Sequence, residues 1–481
     1  MDYNNLSILA VSEALREKEI SAVELVTRLF KRIGRLDEAI KSFITLDEAH
    51  AMNAARAADD MISKGKGGAL CGIPFGIKDN ICTKDLKTTC ASKMLENYVP
   101  PFNATAVERL KAQGAIILGK NNMDEFGMGA NGENSPLGAA RNPRNLSHTA
   151  GGSSGGCAAA VAANFVSAAL ASDTGGSVRR PASFCGITGL KPTYGRVSRH
   201  GLIAFSSSLD QIGILANSAK EAAFILSIIG GKDDFDSTVS DKPLPDYSKP
   251  LSKPVIGLAD EFFGDFVSED IKKCVIAAAE TYERMGYTLK KVSLPSLKYA
   301  VSAYYLITSA EAANNLARFD GVRFGEAQSG ADDFVQYIEN NRTAGFGDEV
   351  KRRIMLGNYA LIRENLDDYY KKAIAVRDKI RAEYDEIFKN CDILLTPSAP
   401  TTAPLANSKT SPCDAYKGDI CTVSADIAGL PSISTPCGKS ASGMNVGMSL
   451  VAAPFNENMI IPAAVHFENE LKKWKGIGFN G

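Results

Sequence analysis

Gly-Gly-Ser-Ser-Gly-Gly at residues 151–156, followed by Asp-Thr-Gly-Gly-Ser at residues 173–177, is the stretch of this sequence that says most about its fold. Paired glycines before a serine suit a tight turn that presents the hydroxyl, because glycine adopts backbone dihedral angles that other residues resist. Successive backbone N–H groups in such a turn can also point at one anion. Ser153 and Ser177 are therefore candidate catalytic residues. We expect the alanine-rich run at residues 157–171 to form a helix packed beneath both turns.

A serine hydroxyl needs a base before it can act as a nucleophile. The four histidines of the chain are His50, His148, His200 and His466. The run Cys-Gly-Ile-Pro-Phe-Gly-Ile-Lys-Asp-Asn at residues 71–80 offers a different base, since it places Lys78 among apolar neighbours. A lysine that is desolvated in such surroundings can lose its proton and accept another. Lys78 is therefore the candidate base for the two serines.

An alternative interpretation uses the histidines. Residues 151–155 also match the Gly-x-Ser-x-Gly nucleophile elbow of the α/β-hydrolases, in which an acid and a histidine follow the serine along the chain. Ser153 would then be the nucleophile, and His200 or His466 would be its base. That interpretation leaves Lys78 and the second serine turn without a role, but the sequence does not exclude it, because both histidines follow Ser153 along the chain.

Two further glycine patterns resemble nucleotide-binding motifs. Residues 114–121 almost match a P-loop, but Asn121 stands where a serine or threonine would meet Mg²⁺, and the middle of the segment is apolar. Residues 127–132 match Gly-x-Gly-x-x-Gly, but Pro136 and Pro143 follow instead of a helix that could receive a pyrophosphate. A nucleotide-binding protein is therefore the alternative from a different functional class.

Three segments in this order resemble the amidase signature family of serine hydrolases. They are Gly-Ile-Pro-Phe-Gly-Ile-Lys-Asp-Asn at residues 72–80, Gly-Gly-Ser-Ser-Gly-Gly at residues 151–156 and Asp-Thr-Gly-Gly-Ser-Val-Arg-Arg-Pro-Ala at residues 173–182. The resemblance implies an α/β fold, in which α-helices cover a large mixed β-sheet. It also implies a single domain over residues 1–481, with an N-terminal helical segment at about 1–65 and a helical excursion at about 260–390.

The resemblance also implies a mechanism. Ser177 would be the nucleophile, Ser153 would relay the proton between Ser177 and Lys78, and the peptide bond between Gly152 and Ser153 would be cis. An oxyanion hole would be formed by backbone N–H groups, those of Thr174, Gly175, Gly176 and Ser177. Lys78, Ser153 and Ser177 thus form the expected triad.

Five other segments are similar to one branch of this family, the glutaminase subunits of tRNA-dependent amidotransferases. They are residues 123–129, 133–135, 141–143, 206–213 and 347–354. The similarity implies hydrolysis of glutamine to glutamate and ammonia, for conversion of Glu-tRNA(Gln) to Gln-tRNA(Gln) and, as a further option, of Asp-tRNA(Asn) to Asn-tRNA(Asn). It implies a heterotrimer with subunits B and C, in which the B chain holds ATP, Mg²⁺ and most of the tRNA. The glutaminase chain would hold no cofactor or metal. The same-class alternative is a stand-alone amidase acting on another carboxamide.

Free glutamine carries a carboxylate and an ammonium, so its binding site needs one cation and one anion. The resemblance assigns Arg353 to the carboxylate and Asp419 to the ammonium. Tyr304, or its neighbour Tyr305, should line the pocket. The alternative for Arg353 is a solvated helix face shared with Arg352, which is the usual position of such charge runs.

The sequence departs from the family pattern at two positions. Cys157 stands where serine is expected, and Arg180 stands where glutamine is expected. Since neither residue belongs to the triad, we expect both changes to affect only local packing and partner contacts.

Composition limits the functional class. With 54 Lys and Arg against 55 Asp and Glu, the net charge is −1, which provides no overall basic field for nucleic acid; if the chain serves tRNA, we expect another subunit to make most of the tRNA contacts. The ten cysteines are scattered without a Cys-x-x-Cys pair, so neither zinc nor a disulfide framework is indicated, and a reducing cytoplasm is expected. Residues 1–5 lack the features of a signal peptide, and the run at 157–171 is too short and too polar to span a membrane.

Local patterns predict several elements. The first sixty residues suggest helices, with a capping box at residues 21–24. Short apolar runs at residues 115–118, 254–258 and 392–396 predict buried strands. Apolar residues recur at helical spacing between residues 268 and 287.

Overall fold

A computed structural model of the chain describes residues 6–247, 254–325, 329–408 and 411–473. Residues 1–5, on which the expectation about a signal peptide partly depends, lie outside the described residues. None of the helices in these four ranges combines the length and the apolar character needed to cross a membrane.

The described residues form thirteen β-strands. They are β1 (Phe43–Leu46), β2 (Pro74–Lys78), β3 (Ile116–Asn121), β4 (Arg141–Asn142), β5 (Asn145–Thr149), β6 (Ala168–Asp173), β7 (Thr188–Lys191), β8 (Gln211–Ala216), β9 (Val255–Ala259), β10 (Thr288–Val292), β11 (Ile393–Pro397), β12 (Ser432–Lys439) and β13 (Asn445–Val451). Eleven of them make one mixed sheet in the order β1-β3-β2-β6-β8-β7-β12-β13-β11-β9-β10, and β4 pairs with β5.

Helices surround this sheet. Within the described ranges they are α1 (Ile8–Arg16), α2 (Ala22–Ile40), α3 (Glu48–Ser63), α4 (Thr105–Ala112), α5 (Gly155–Ala162), α6 (Arg179–Cys185), α7 (Ala219–Ile229), α8 (Glu269–Arg284), α9 (Leu297–Asn315), α10 (Phe334–Gly345), α11 (Asp348–Leu361), α12 (Lys372–Ile387), α13 (Pro412–Lys417), α14 (Val423–Ile427) and α15 (Glu457–Lys473). The expected α/β class, a large mixed sheet with helices around it, is confirmed.

Most local predictions are confirmed. The capping box starts α2, where Ser21 and Glu24 each accept a hydrogen bond from the other's backbone N–H. The three predicted buried strands are β3, β9 and β11, and the predicted amphipathic helix is α8. The interpretation of the first sixty residues as helices alone is wrong, because β1 pairs with β3 at the edge of the sheet.

The helix expected over residues 157–171 is also only half right. Helix α5 ends at Ala162, and β6 occupies the second half of the run. Asn164, between the two, has a positive φ of 53°, which breaks the helix. Strand β6 consists mostly of alanine and serine and lies buried between β2 and β8, so tertiary pairing has overridden the helix propensity of alanine.

The central strands position the candidate catalytic residues. Strands β2 and β6 run parallel, with Ile77 opposite Leu170, so their carboxyl ends lie at the same edge of the sheet. Lys78 is the last residue of β2, and Asp173 is the last residue of β6. The second serine turn follows β6 directly and therefore lies beside Lys78.

Candidate active site

Lys78 is fully buried at the end of β2. Its Nζ donates hydrogen bonds to Ser153 Oγ at 2.8 Å, to Ser172 Oγ at 2.9 Å and to the Ser172 carbonyl oxygen at 3.3 Å. Burial lowers the pKa of Lys78 to about 8, against the opposing effect of nearby carboxylates such as Asp124. A lysine with this pKa is partly neutral near pH 7 and can exchange a proton with the Ser153 hydroxyl.

The turn that carries Ser153 is held in place by Asp124. The Asp124 N–H donates to the Ser153 carbonyl oxygen, and its carboxylate accepts from the N–H groups of Gly132 and Asn134. A Cβ on Gly152 would lie 2.1 Å from an Asp124 carboxylate oxygen, so only glycine fits there. The Gly152–Ser153 peptide bond is cis, as the family resemblance implies.

Ser177 lies in the turn between β6 and α6 and is 9 % exposed. Its carbonyl oxygen accepts from the Ser154 N–H at 3.2 Å, which ties the two serine turns together. Among the described residues, the Ser177 hydroxyl has no hydrogen-bond partner, and it is therefore available to an incoming substrate.

The Asp173 carboxylate holds the backbone of this turn in place. Its carboxylate accepts from the N–H groups of Gly176 at 2.7 Å and Val178 at 2.9 Å and pairs with the Arg179 guanidinium at 3.0 Å. Burial opposes ionisation, but the Arg179 guanidinium outweighs it and holds the pKa of Asp173 well below its usual range. Arg179 also pairs with Asp426 at 2.5 Å, which anchors the turn to α14.

The expected oxyanion hole needs one correction. The Gly176 N–H is already donated to Asp173, so it is not free to bind an oxyanion in this structure. Gly176 instead provides the turn geometry, since its φ is +120° and a Cβ there would lie 2.3 Å from Thr422 Oγ1. In the described part of the chain, the N–H groups of Thr174, Gly175 and Ser177 donate to no protein acceptor. These three remain the candidate donors.

The predicted substrate residues lie together beside this turn. A Cβ on Gly175 would be 2.5 Å from the Tyr304 ring, so Tyr304 packs directly against the turn. The Tyr305 hydroxyl donates to Asp419 Oδ2 at 2.5 Å, and the Arg353 guanidinium lies 4.3 Å from the centre of the Tyr305 ring. Tyr304 and Tyr305 therefore both line this region. The sequence does not choose between the two tyrosines, and the structure places both of them here.

Arg353 is buried and does not lie on a solvated helix face. Its Nε donates to Glu349 Oε1 at 2.7 Å, and its guanidinium faces the rings of Tyr305 and Tyr416. Arg353 Nη1 is buried and has no hydrogen-bond partner among the described residues. An anionic group of a ligand could satisfy it.

Arg180 makes a contact that the sequence did not predict. The Arg180 guanidinium pairs with Asp419 Oδ1 and donates to the Gly418 carbonyl oxygen at 2.9 Å. Arg180 therefore contacts Asp419, which is a predicted substrate residue. The expectation for Cys157 agrees with its position, since it is buried in α5 with its Sγ 3.7 Å from the Leu170 carbonyl oxygen.

The rival histidines and the near P-loop make no contact with Ser153 among the described residues. His200 stacks on Phe235, and His466 lies 3.0 Å from the Tyr287 hydroxyl; neither contacts Ser153. The near P-loop is strand β3, and its Lys120 is buried and donates to Thr88 Oγ1 at 2.7 Å. A phosphate-binding loop followed by a helix is therefore absent at that position.

Sequence reasoning missed three residues of the site. Ser172 accepts from Lys78, Thr422 donates to the Gly175 carbonyl oxygen at 2.6 Å, and Asp210 accepts from Thr174 Oγ1 at 2.6 Å. Asp210 lies within a segment that carries the family resemblance, and that position could have suggested it. No local pattern marks Thr422, because its role depends on a contact across the fold.

A comparison with protein-family models matches residues 24–461 to the amidase family. The chain belongs to the amidase family. The match covers the Lys78 strand, both serine turns and the region of Arg353 and Asp419, so the site lies wholly within it.

Similar proteins narrow the relationship. The A subunit of a glutamyl-tRNA(Gln) amidotransferase from Caldanaerobacter subterraneus is 46% identical over 477 residues and covers 98% of each chain. The crystal structure of the A subunit of a glutamyl-tRNA(Gln) amidotransferase from Thermotoga maritima has a TM-score of 0.78 and 37% identity, covering 96% of this chain and 94% of that one. A peptide amidase in complex with the inhibitor chymostatin has a TM-score of 0.79 and 27% identity, covering 98% of both chains.

Among the residues that the structure describes, no group of three or more His, Cys, Asp or Glu side chains is placed to hold a metal ion. The candidate site is therefore described by its serines, lysine, backbone N–H groups and ion pairs.

Proposed function

We propose that this chain is the glutaminase subunit of a tRNA-dependent amidotransferase, releasing ammonia from glutamine for the conversion of Glu-tRNA(Gln) to Gln-tRNA(Gln). The observation that supports this most is the buried 2.8 Å hydrogen bond between Lys78 Nζ and Ser153 Oγ, beside the turn of Ser177. The near full-length similarity to amidotransferase A subunits supports the choice of glutamine as the amide.

In the proposed reaction, Ser177 Oγ attacks the side-chain carboxamide carbon of glutamine. Its proton passes to Ser153, whose own proton passes to neutral Lys78. The tetrahedral intermediate then collapses as the proton returns through Ser153 to the leaving nitrogen, which departs as ammonia. Water attacks the resulting ester by the same route and releases glutamate, leaving Ser177 free.

The oxyanion of the tetrahedral intermediate would be stabilised by the N–H groups of Thr174, Gly175 and Ser177. Such preorganised donors typically contribute about 3–4 kcal/mol to transition-state stabilisation. Because the Asp173 carboxylate holds the Gly176 N–H, the backbone of the turn is fixed before substrate arrives. This arrangement avoids reorganising the turn during the reaction.

The substrate would be held by its two charged groups. Arg353 would bind the α-carboxylate, using the Nη1 that has no partner among the described residues, and Asp419 would bind the α-ammonium. Tyr305 lies between these two residues, with its ring towards Arg353 and its hydroxyl on Asp419. Tyr304 would close the pocket against the turn of Gly175.

We propose that subunits B and C complete the enzyme in the cytoplasm. ATP, Mg²⁺ and most tRNA contacts would belong to the B chain, in agreement with the net charge of −1 on this chain. Co-purification of this chain from its native source tests the assembly. Associated B and C subunits would support an amidotransferase, whereas an active chain without them would support a stand-alone amidase.

A trapped intermediate tests the chemistry. The purified protein would be mixed with glutamine, quenched in acid and analysed by peptide mass spectrometry, where we expect the glutamyl ester on Ser177. The variant Ser177→Ala should form no ester and release no ammonia while keeping its thermal unfolding transition. Ser154→Ala is the matched control, because its hydroxyl lies in the first turn but donates to the Ser172 carbonyl oxygen. An ester on Ser153 would contradict the assignment and support the nucleophile-elbow mechanism.

A further inference from the structure

The ammonium end of the proposed pocket already contains a cation of the protein. Arg180 pairs through its guanidinium with Asp419 Oδ1, and both residues are buried. Asp419 Oδ2 accepts from the Tyr305 hydroxyl at 2.5 Å. Both oxygens of this carboxylate are therefore engaged before any substrate binds.

Arg180 is fixed in this position from several sides. Its backbone N–H donates to the Gly176 carbonyl oxygen at 2.9 Å, so the backbone of Arg180 is held directly after the Ser177 turn. Its side chain donates to the carbonyl oxygens of Gly418 at 2.9 Å and Ala130 at 3.4 Å. Although burial opposes the charge, the Asp419 carboxylate raises the pKa of Arg180, so the guanidinium stays charged at any working pH.

This pairing changes the charge that a substrate meets. A lone Asp419 carboxylate would present one negative charge to the α-ammonium of glutamine. The Arg180–Asp419 pair presents no net charge, and its cation lies near the site that an ammonium would occupy. Two like charges that share one buried carboxylate oppose each other.

We infer that Arg180 is a specificity-determining residue that weakens selection for the α-ammonium, so that the pocket also accepts carboxamides that carry a carboxylate but no ammonium. The inference rests on the proposed function, since it assigns Asp419 to the ammonium position. The carboxylate end of the pocket has its own cation, Arg353, which pairs with Glu349 and lies 4.3 Å from the centre of the Tyr305 ring. Arg180 acts through Asp419 and takes no part in bond breaking.

The test compares two amides that differ only in the ammonium. Ammonia release from glutamine and from 5-amino-5-oxopentanoate, which is glutamine without its α-amino group, would be measured with the full-length chain and any subunits that co-purify with it. For the wild type we expect values of kcat/KM within about tenfold of each other, because the neutral pair gives the ammonium little net attraction.

Four proteins make the test quantitative. The Arg180–Asp419 pair has no net charge in the wild type and in Arg180→Gln/Asp419→Asn, one negative charge in Arg180→Gln, and one positive charge in Asp419→Asn. The preference for glutamine should follow that charge. We expect a rise of at least about tenfold in Arg180→Gln, mainly through a lower KM for glutamine, a fall in Asp419→Asn, and a return towards wild type in the double variant.

Two controls separate charge from folding. Arg180→Lys keeps the positive charge and should keep a preference near that of the wild type. Hydrolysis of 5-amino-5-oxopentanoate, together with the thermal unfolding transition, reports whether each variant still has an intact site. If Arg180→Gln still hydrolyses 5-amino-5-oxopentanoate and its preference for glutamine is unchanged, the inference is wrong and the proposed function is unaffected. If the wild-type protein hydrolyses neither amide, the proposed function and the inference are both contradicted.

Discussion

The proposed role of Lys78 predicts a specific dependence of activity on pH. An ordinary lysine with a pKa of 10.5 would be neutral in only about 0.03 % of molecules at pH 7, whereas a pKa of about 8 raises that fraction to about 9 %. Only the neutral amine can accept the proton that Ser153 relays. Because burial creates this neutral fraction, kcat/KM for glutamine should rise with pH through about pH 8.

The size of the rise follows from the same pKa. Between pH 7 and pH 9 the neutral fraction increases from about 9 % to about 90 %, so kcat/KM should increase about tenfold and then level off. The assay is ammonia release at subsaturating glutamine from pH 6 to pH 9.5 at constant ionic strength. Below pH 7 the activity should fall about tenfold for each pH unit.

A matched pair of variants identifies the titrating group. Lys78→Arg should lose activity at every pH, because a guanidinium cannot give up its proton. Lys120→Arg makes the same change in the neighbouring strand β3, where the lysine is equally buried but donates to Thr88 rather than to Ser153. Its folded fraction should keep the pH dependence of the wild type. A rate that is flat between pH 6.5 and pH 9, or an active Lys78→Arg protein, would refute the assignment of Lys78 as the base.

Three further predictions concern other parts of the site. Arg353→Ala and Asp419→Ala should reduce transamidation with glutamine far more than transamidation with an ammonium salt by the assembled complex, since ammonia does not use the amino-acid pocket; equal losses would indicate a folding defect. His200→Ala and His466→Ala should each retain ammonia release, and complete loss in either would revive the nucleophile-elbow mechanism. Asp173→Asn should lower the free energy of unfolding in urea by about 2–3 kcal/mol, because it removes one of the two carboxylates that pair with buried Arg179 and weakens the acceptor of the Gly176 and Val178 N–H groups, and a loss below about 1 kcal/mol would contradict that role.

The proposed catalytic residues, which the structure brings together, could be chosen from sequence because they lie in short segments with a local physical signature. The glycines around Ser153 and Ser177 mark turns, and the apolar run before Lys78 marks a buried strand end. The parallel pairing of β2 and β6 was not needed to choose these residues, but it explains why they meet. The Gly176 N–H could not be assigned from sequence, since its use by Asp173 depends on the conformation of the turn.

The substrate half was less predictable, because its residues come from separate elements. Tyr305 lies in α9, Arg353 in α11, and Asp419 lies between α13 and α14. Sequence suggested these positions through resemblance, but it gave no indication that Arg180, which is 239 residues away from Asp419 along the chain, would pair with it. The alanine-rich run misled for a related reason, since the pairing of β6 with its neighbours outweighed helix propensity.

The catalytic and substrate halves of the proposed site differ in what a substitution can change. The proposed triad and the candidate oxyanion donors lie at strand ends and in turns that buried side chains such as Asp173 hold in place, so substitutions of those supporting side chains affect the chemistry and the fold together. The proposed substrate contacts come from α9, α11 and the segment between α13 and α14, and Arg180 joins the two halves because its backbone lies at the start of α6, directly after the serine turn, and its side chain pairs with Asp419. A change at Arg180 can therefore alter the charge that a substrate meets while Lys78, Ser153 and Ser177 stay in place.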